Sequence, residues 1–240
     1  MKINSSQYWY NHFVENLKNE KIDWNKQPNL TKLEKKIIVD SLKAWQLGET
    51  SEGKHLLSAA QNYSERIKDL HYTNAIKLFI KEEQKHGNNL GKYLDLIGEP
   101  RITKNWGDTL FRNIRYINTS MEIWTLAVIS VESSAQIFYQ SLKDSTQCPL
   151  LNEICKDILY DEAFHIQFQK ERMAIIFANK NRLNQLVSKM IYKLFYFSTI
   201  TLVWFAHKKV FKSGNNSFRI YFNKMTLKYN RVLKPMDYSS

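Results

Sequence analysis

The pattern Glu-x-x-His occurs as Glu83-Gln-Lys-His86 and again as Glu162-Ala-Phe-His165. Each pair follows a further glutamate at a similar distance: Glu49 lies 34 residues before Glu83, and Glu132 lies 30 before Glu162. Carboxylates and imidazoles are ligands for divalent metals. Four carboxylates and two imidazoles in this duplicated order are what a four-helix bundle needs to hold two metal ions in its core.

Helical spacing supports that reading. Phe79, Glu83, His86, Leu90 and Leu94 recur at i, i+4, i+7, i+11 and i+15. Val128, Glu132, Ala135 and Tyr139 make a second such stripe; Ile154, Ile158, Glu162 and His165 make a third; Leu42, Trp45, Glu49 and Leu56 make a fourth. Four carboxylates therefore lie on the apolar faces that must turn inward. A buried carboxylate is costly unless it is paired or bound to metal. Spacing of i, i+3 sets the Glu and His of each motif side by side, within reach of one ion. The four negative charges match two divalent cations. Oxygen-rich ligation with one imidazole per ion suits iron or manganese, and without cysteine in the set a structural zinc site is disfavoured. A third match, Glu52-Gly-Lys-His55, is read as coincidence. In the alignment of the two halves Glu52 falls opposite Ala135, and His55 lies about 120° around the helix from Glu49. Glu52 shares the face of Glu49 and remains a possible extra ligand.

The elements that must carry these residues read as helices. Residues 5–17 predict a short aromatic helix. Thr31-Lys-Leu-Glu34 has the form of a capping box, and the helix it opens is predicted over 31–63. A second is predicted over 73–97, stopped by Gly98 and Pro100. Residues 98–118 are a long connection with room for a short helix. A third helix is predicted over 119–143, and Pro149 opens a fourth over 149–178. With only 7 Gly and 4 Pro, little interrupts them. Short links within each pair and a long one between pairs give an all-α bundle with one long crossover. Strand signals are weak throughout. The expected domains are a bundle with its N-terminal helix (1–180) and a helical extension (181–240), with helices at 182–212 and 217–232.

At this point the chain resembles the ferritin-like di-iron carboxylate superfamily, through Gly48-Glu49, Glu82-Glu83-x-x-His86, Val131-Glu132 and Asp161-Glu162-x-x-His165 over residues 31–178. The pattern is similar to rubrerythrins, di-iron oxygenases and cyanobacterial aldehyde-deformylating oxygenases. The resemblance implies that Glu49, Glu83 and His86 serve one half of a two-metal site and Glu132, Glu162 and His165 the other, with Glu83 and Glu162 bridging. It places Glu82 and Asp161 behind the ligands, where such partners orient imidazoles. The implied cofactor is two iron ions, with manganese or a mixed Mn/Fe pair as alternatives. The implied activity is oxidation of a hydrophobic or anionic organic substrate with O2, with a homodimer expected. Iron oxidation or peroxide detoxification, oxidation of a tRNA base, and a non-enzymatic bundle are the competing readings. No pair of Cys-x-x-Cys motifs follows the bundle, so electrons must come from an external donor.

Charge divides the chain. From Arg172 onward there are thirteen Lys or Arg and one acid, Asp237, so this stretch carries the whole net charge of +12 while residues 1–171 are neutral. Such asymmetry points to an anionic partner, a membrane surface or nucleic acid, or to a solvated basic face. Residues 194–206 are almost wholly apolar but shorter than the roughly 20 residues of a membrane span. This helix is expected to pack on the bundle or to lie at a membrane interface. A start without an apolar signal segment, and two cysteines at a spacing that fits no motif, suggest a cytoplasmic chain with peripheral membrane association as an option. His12, His71 and His207 read as surface or core residues. Tyr139 reads as core packing, with a place beside the metals as the alternative.

Overall fold

The computed structural model describes residues 3–107, 109 and 120–234. Among them are eight helices and no strand: α1 (Ser6–Leu17), α2 (Lys32–Glu49), α3 (Lys54–Ile67), α4 (Leu70–Leu96), α5 (Met121–Asp144), α6 (Pro149–Ala178), α7 (Arg182–Ser213) and α8 (Phe218–Val232). The short helix allowed for in the long connection falls mostly outside the described residues.

The ends of these helices follow local chemistry. Thr31 Oγ1 accepts the Glu34 amide at 3.1 Å while Glu34 Oε2 accepts the Thr31 amide at 2.7 Å, closing the capping box. Glu34 Oε1 also accepts the Gln147 amide at 3.0 Å, which ties the start of α2 to the α5–α6 turn. Gly98, at φ +69°, ends α4, and the Glu99 amide returns to the Leu94 carbonyl at 3.0 Å. Pro149 stands in the first turn of α6.

One expectation fails. The single helix read over 31–63 is two helices, α2 and α3, parted at residues 50–53. Gly53 adopts φ +64°, and a Cβ there would stand 2.7 Å from the Ile80 side chain. The apolar periodicity on either side of the break stays continuous, because both pieces pack on α4. The break directly follows Glu49.

Helix α4 packs on α2 and α3, and α5 packs on α6, so the two halves form antiparallel pairs. A Cβ on Gly87 would lie 2.7 Å from Thr50 Cγ2 and 3.0 Å from the Thr50 nitrogen. Glycine here lets the end of α2 approach α4, which brings Glu49 beside Glu83. The buried apolar residues form two clusters. One contains Leu42, Leu90, Leu94, Tyr139 and Ile158; the other contains Phe13, Leu56, Ile76, Phe79 and Phe168. Along α4 the residues between them are Glu82, Glu83 and His86, and along α6 they are Asp161, Glu162 and His165. A polar layer thus divides an otherwise apolar interior.

The C-terminal hairpin α7–α8 packs chiefly on α5, and α7 also touches α2. Tyr192 donates to Glu122 at 2.6 Å, Lys180 pairs with Glu122 at 2.7 Å, and Asn216 Nδ2 donates to Ser141 Oγ at 3.0 Å. Helix α7 is kinked at His207, whose backbone (φ −123°, ψ 17°) is non-helical.

Candidate metal centre

All six residues singled out in the sequence as ligands converge. Donor atoms of Glu83, Glu132, Glu162 and His165 lie within 4.8 Å of one another, as do those of Glu49, Glu83 and His86. Glu83 belongs to both groups. Glu162 lies between the imidazoles, with Oε1 3.9 Å from His86 Nδ1 and Oε2 3.7 Å from His165 Nδ1. The ring centroids of the two histidines are 5.8 Å apart. Glu52 is corrected: its side chain is 72% exposed, pairs with Lys54 and joins neither group. Glu52 lies in the break between α2 and α3, so the shared face assumed for an unbroken helix does not exist.

The imidazoles are held crosswise. His86 of α4 bonds through Nε2 to Asp161 of α6 at 2.9 Å, and His165 of α6 bonds through Nε2 to Glu82 of α4 at 2.8 Å. Both acids are fully buried. Asn16 of α1 donates from Nδ2 to Glu82 at 2.7 Å and to Asp161 at 2.8 Å, joining the two supports. Lys85 and Lys21 pair with Asp161 at 2.7 and 3.3 Å and with Asp157 at 3.2 and 3.4 Å. Burial alone would raise the Asp161 pKa, but bonds from His86 and Lys85 hold this carboxyl far below its usual range. An ionised Asp161 can only accept, so His86 carries its proton on Nε2 and turns the Nδ1 lone pair to the centre.

The donor set fits a metal pair. Both Glu162 oxygens and His86 Nδ1 are buried and make no hydrogen bond. His165 Nδ1 and Glu83 Oε1 face each other at 2.8 Å. Buried polar atoms normally have partners, and three orphans beside a close carboxylate–imidazole pair, all at one place, are what cations would satisfy. Electrostatics agree. Burial first, then the Glu83 charge, raises the Glu49 pKa well above normal; burial and then Glu162 do the same for Glu132. Glu83 is raised by burial and by Glu132, and Glu162 by burial to about 7. Burial would lower His165, but the surrounding carboxylates of Glu162, Glu82 and Glu83 outweigh this and raise it.

Tyr139 does more than pack: its hydroxyl donates to Glu49 Oε1 at 2.8 Å. Burial and the Glu49 charge raise its pKa well above normal, so it stays a donor. Two cavities reach the carboxylates. One, about 160 Å³, touches Glu49, Glu83 and Glu132 and is otherwise mainly apolar, walled by Trp45, Val128, Val131, Leu202 and Val203. His207 also lines it, with Nδ1 3.0 Å from Ser41 Oγ and its pKa lowered by burial to about 4. The other, about 230 Å³, opens at the α2–α3 break beside Ser51, Lys54 and His55. Asn16, Lys21, Lys85 and Asp157 are partners that motif reading misses. Only the ring of charges around Asp161 could have hinted at them.

No family model matches the sequence, and no curated protein matches it. Solved structures do match. A variant R2-like ligand-binding oxidase with aerobically reconstituted Mn/Fe cofactor superposes with a TM-score of 0.65 at 16% identity, covering 96% of both chains. A second variant, likewise reconstituted, gives 0.63 at 16%, covering 96% of this chain and 93% of that one. The chain has the ferritin-like fold. In this ferritin-like bundle the broken α2–α3 pair, α4, α5 and α6 supply the four-helix core, while α1 supplies Asn16 as an outer brace.

That brace and its acids carry a prediction. Asp161→Asn would present an amide N–H toward His86 and favour the tautomer protonated at Nδ1, which blocks the lone pair. Metal affinity is expected to fall roughly 10–100-fold, measured by competition with a chelator. Unchanged affinity would show that Asp161 does not orient the ring.

Proposed function

We propose that the chain is a dinuclear metal oxidoreductase that uses O2 to oxidise an apolar organic substrate. What carries this reading is the junction of the buried donor set with the apolar cavity: Glu49, Glu83 and Glu132 form one wall of the space that Trp45, Val128, Val131 and Val203 enclose. Glu49, Glu83 and His86 would hold one ion, and Glu132, Glu162 and His165 the other, with Glu83 and Glu162 shared. Iron in both places, or a Mn/Fe pair as in the structural neighbours, suits these ligands. When bound, the pair supplies the electrons that reduce O2.

The protein's own residues set the conditions. Tyr139 keeps the Glu49 carboxylate turned to the centre, and Glu82 and Asp161 fix both rings. Full burial of Glu162, His86 and His165 keeps bulk water from that side. The apolar wall selects substrates without charge where they meet it. Electrons are to be delivered by a separate donor, because Cys148 and Cys155 are buried thiols in no redox motif.

The test is O2 uptake by protein loaded anaerobically with Fe(II), or with Fe(II) and Mn(II). A chemical reductant and aliphatic alcohols, aldehydes and acids of graded length are then added. Uptake that saturates near two metals per chain and yields an oxidised organic product is expected. Uptake that scales with excess Fe(II) and yields only ferric mineral would replace this reading with iron oxidation and storage.

A further inference from the structure

Helix α7 has two faces of opposite character. Its inner face buries Ser188, Tyr192, Tyr196, Thr199 and Val203 against the bundle. Its outer face exposes large apolar side chains: Leu183 at 71%, Met190 at 74%, Leu194 at 73% and Phe205 at 61%, with Val187 among them. At about 100° per residue these five fall within roughly 60° of one another, on the side opposite the buried set. A soluble helix seldom leaves such a stripe uncovered.

Charge identifies the cover. No Asp or Glu occurs anywhere in α7 or α8. Lys193 and Arg182 flank the stripe, and the exposed Lys208, Lys209 and Lys212 continue it beyond the kink. A second copy of this helix would bring cations against cations, with no acid on either side to pair them. Nucleic acid would answer the charge but leaves the leucines and methionine in water. An anionic lipid surface answers both, taking the apolar stripe between acyl chains and the lysines among headgroup phosphates. We propose that the outer face of α7 is a docking surface for anionic membranes, on which the helix lies flat. Helix α7 is long and apolar enough to cross a membrane. Its inner face is nevertheless bound into the fold by Tyr192 on Glu122 and by Tyr196, whose hydroxyl donates to the Met225 carbonyl at 3.0 Å. The surface stands independently of the oxidase reading. The two share α7, whose Leu202 and exposed Ala206, on the flank between its outer and inner faces, line the apolar cavity; on that reading, lipid-phase molecules would enter along this flank.

Co-sedimentation of the full, metal-loaded chain with vesicles tests the surface. Phosphatidylcholine vesicles are compared with phosphatidylcholine–phosphatidylglycerol vesicles. Binding to the anionic vesicles is expected to be about tenfold or more the stronger and to weaken in raised salt. The double variant Met190→Glu, Leu194→Glu changes only exposed positions and should keep its helical melt. It is expected to lose vesicle binding about tenfold or more. Lys208→Glu with Lys209→Glu should lose the preference for anionic lipid. Equal binding to both vesicle types, or an unaltered Met190/Leu194 variant, would overturn the proposal. So would a dimer in native mass spectra that the Met190/Leu194 variant dissociates, with no vesicle binding. Failure of vesicle binding leaves O2 uptake untouched, so the two readings fail separately.

Discussion

Metal loading of the Glu83→Ala protein is expected to collapse from about two ions per chain to fewer than one. Glu83 is the carboxylate common to both groups of donors, so its removal takes a ligand from each. What remains near His86 is Glu49 and, at 3.9 Å, Glu162, and the charge facing two divalent cations falls from four to three. Orienting partners behind a ligand are each worth roughly 10–100-fold in affinity, and a ligand shared by two ions must exceed that. Glu162→Ala should act similarly, because this side chain stands between both imidazoles. Glu52→Ala is the control, since Glu52 is exposed and paired with Lys54. The measurement is elemental analysis after anaerobic Fe(II) loading and desalting, with a thermal melt to establish folding. Retention of both ions by Glu83→Ala, with their loss from Glu52→Ala, would mean that the register of the site is wrong by one helical turn.

Much of this arrangement is legible without coordinates because it is written locally. A glutamate on an apolar stripe declares both its helix and its inward direction, so the convergence of Glu49, Glu83, Glu132 and Glu162 could be read from spacing. Helix ends at Pro149 and Gly98 have local chemistry too. The break after Glu49 is different. Apolar periodicity continues from Trp45 to Leu56, and only Gly53 and Ser51 signal that the backbone turns. The glycine is needed because Ile80, on another helix, fills the space where a Cβ would go.

Long-range choices are less visible still. That Glu82 serves His165 rather than its own neighbour His86 depends on which faces of α4 and α6 meet. Asn16 and Lys21 come from outside the four-helix core, with no periodicity to announce them. Tyr139 shows the limit most clearly. Its position on the apolar stripe of α5 fits ordinary packing, and only the approach of α2 gives its hydroxyl Glu49 to hold. His207 reads as bland for a similar reason. The kink of α7 and the serine of α2 that fix its ring are both remote in sequence.

Removing the metals should make the fold's stability fall as pH rises from about 5 to 8. The sign follows from where protons sit. Glu49, Glu83, Glu132 and Glu162 all have folded pKa values above their ordinary range, chiefly through burial. Above the ordinary carboxylate range the unfolded chain gives up these protons while the folded chain keeps them, so rising pH favours unfolding. Glu162 alone moves from 4.5 to about 7, which corresponds to on the order of 3 kcal/mol once both states are ionised. His165, raised as well, has the same sign: its contribution is present below its ordinary value and fades as pH climbs through the raised one. Asp161 is depressed, and its contribution is lost only in stronger acid, below this window. Bound cations reverse the preference, because the carboxylates must be ionised to ligate them. The stabilisation conferred by metal should therefore grow from pH 5 to pH 8, and loading near neutral pH should release about two protons or more. Melting curves of metal-free and metal-loaded protein across this range, with titration calorimetry in buffers of different ionisation heat, measure both effects. A metal-free protein that gains stability over the same range, and binds metal without proton release, would mean that these glutamates are already ionised and solvated, and that burial does not govern the centre.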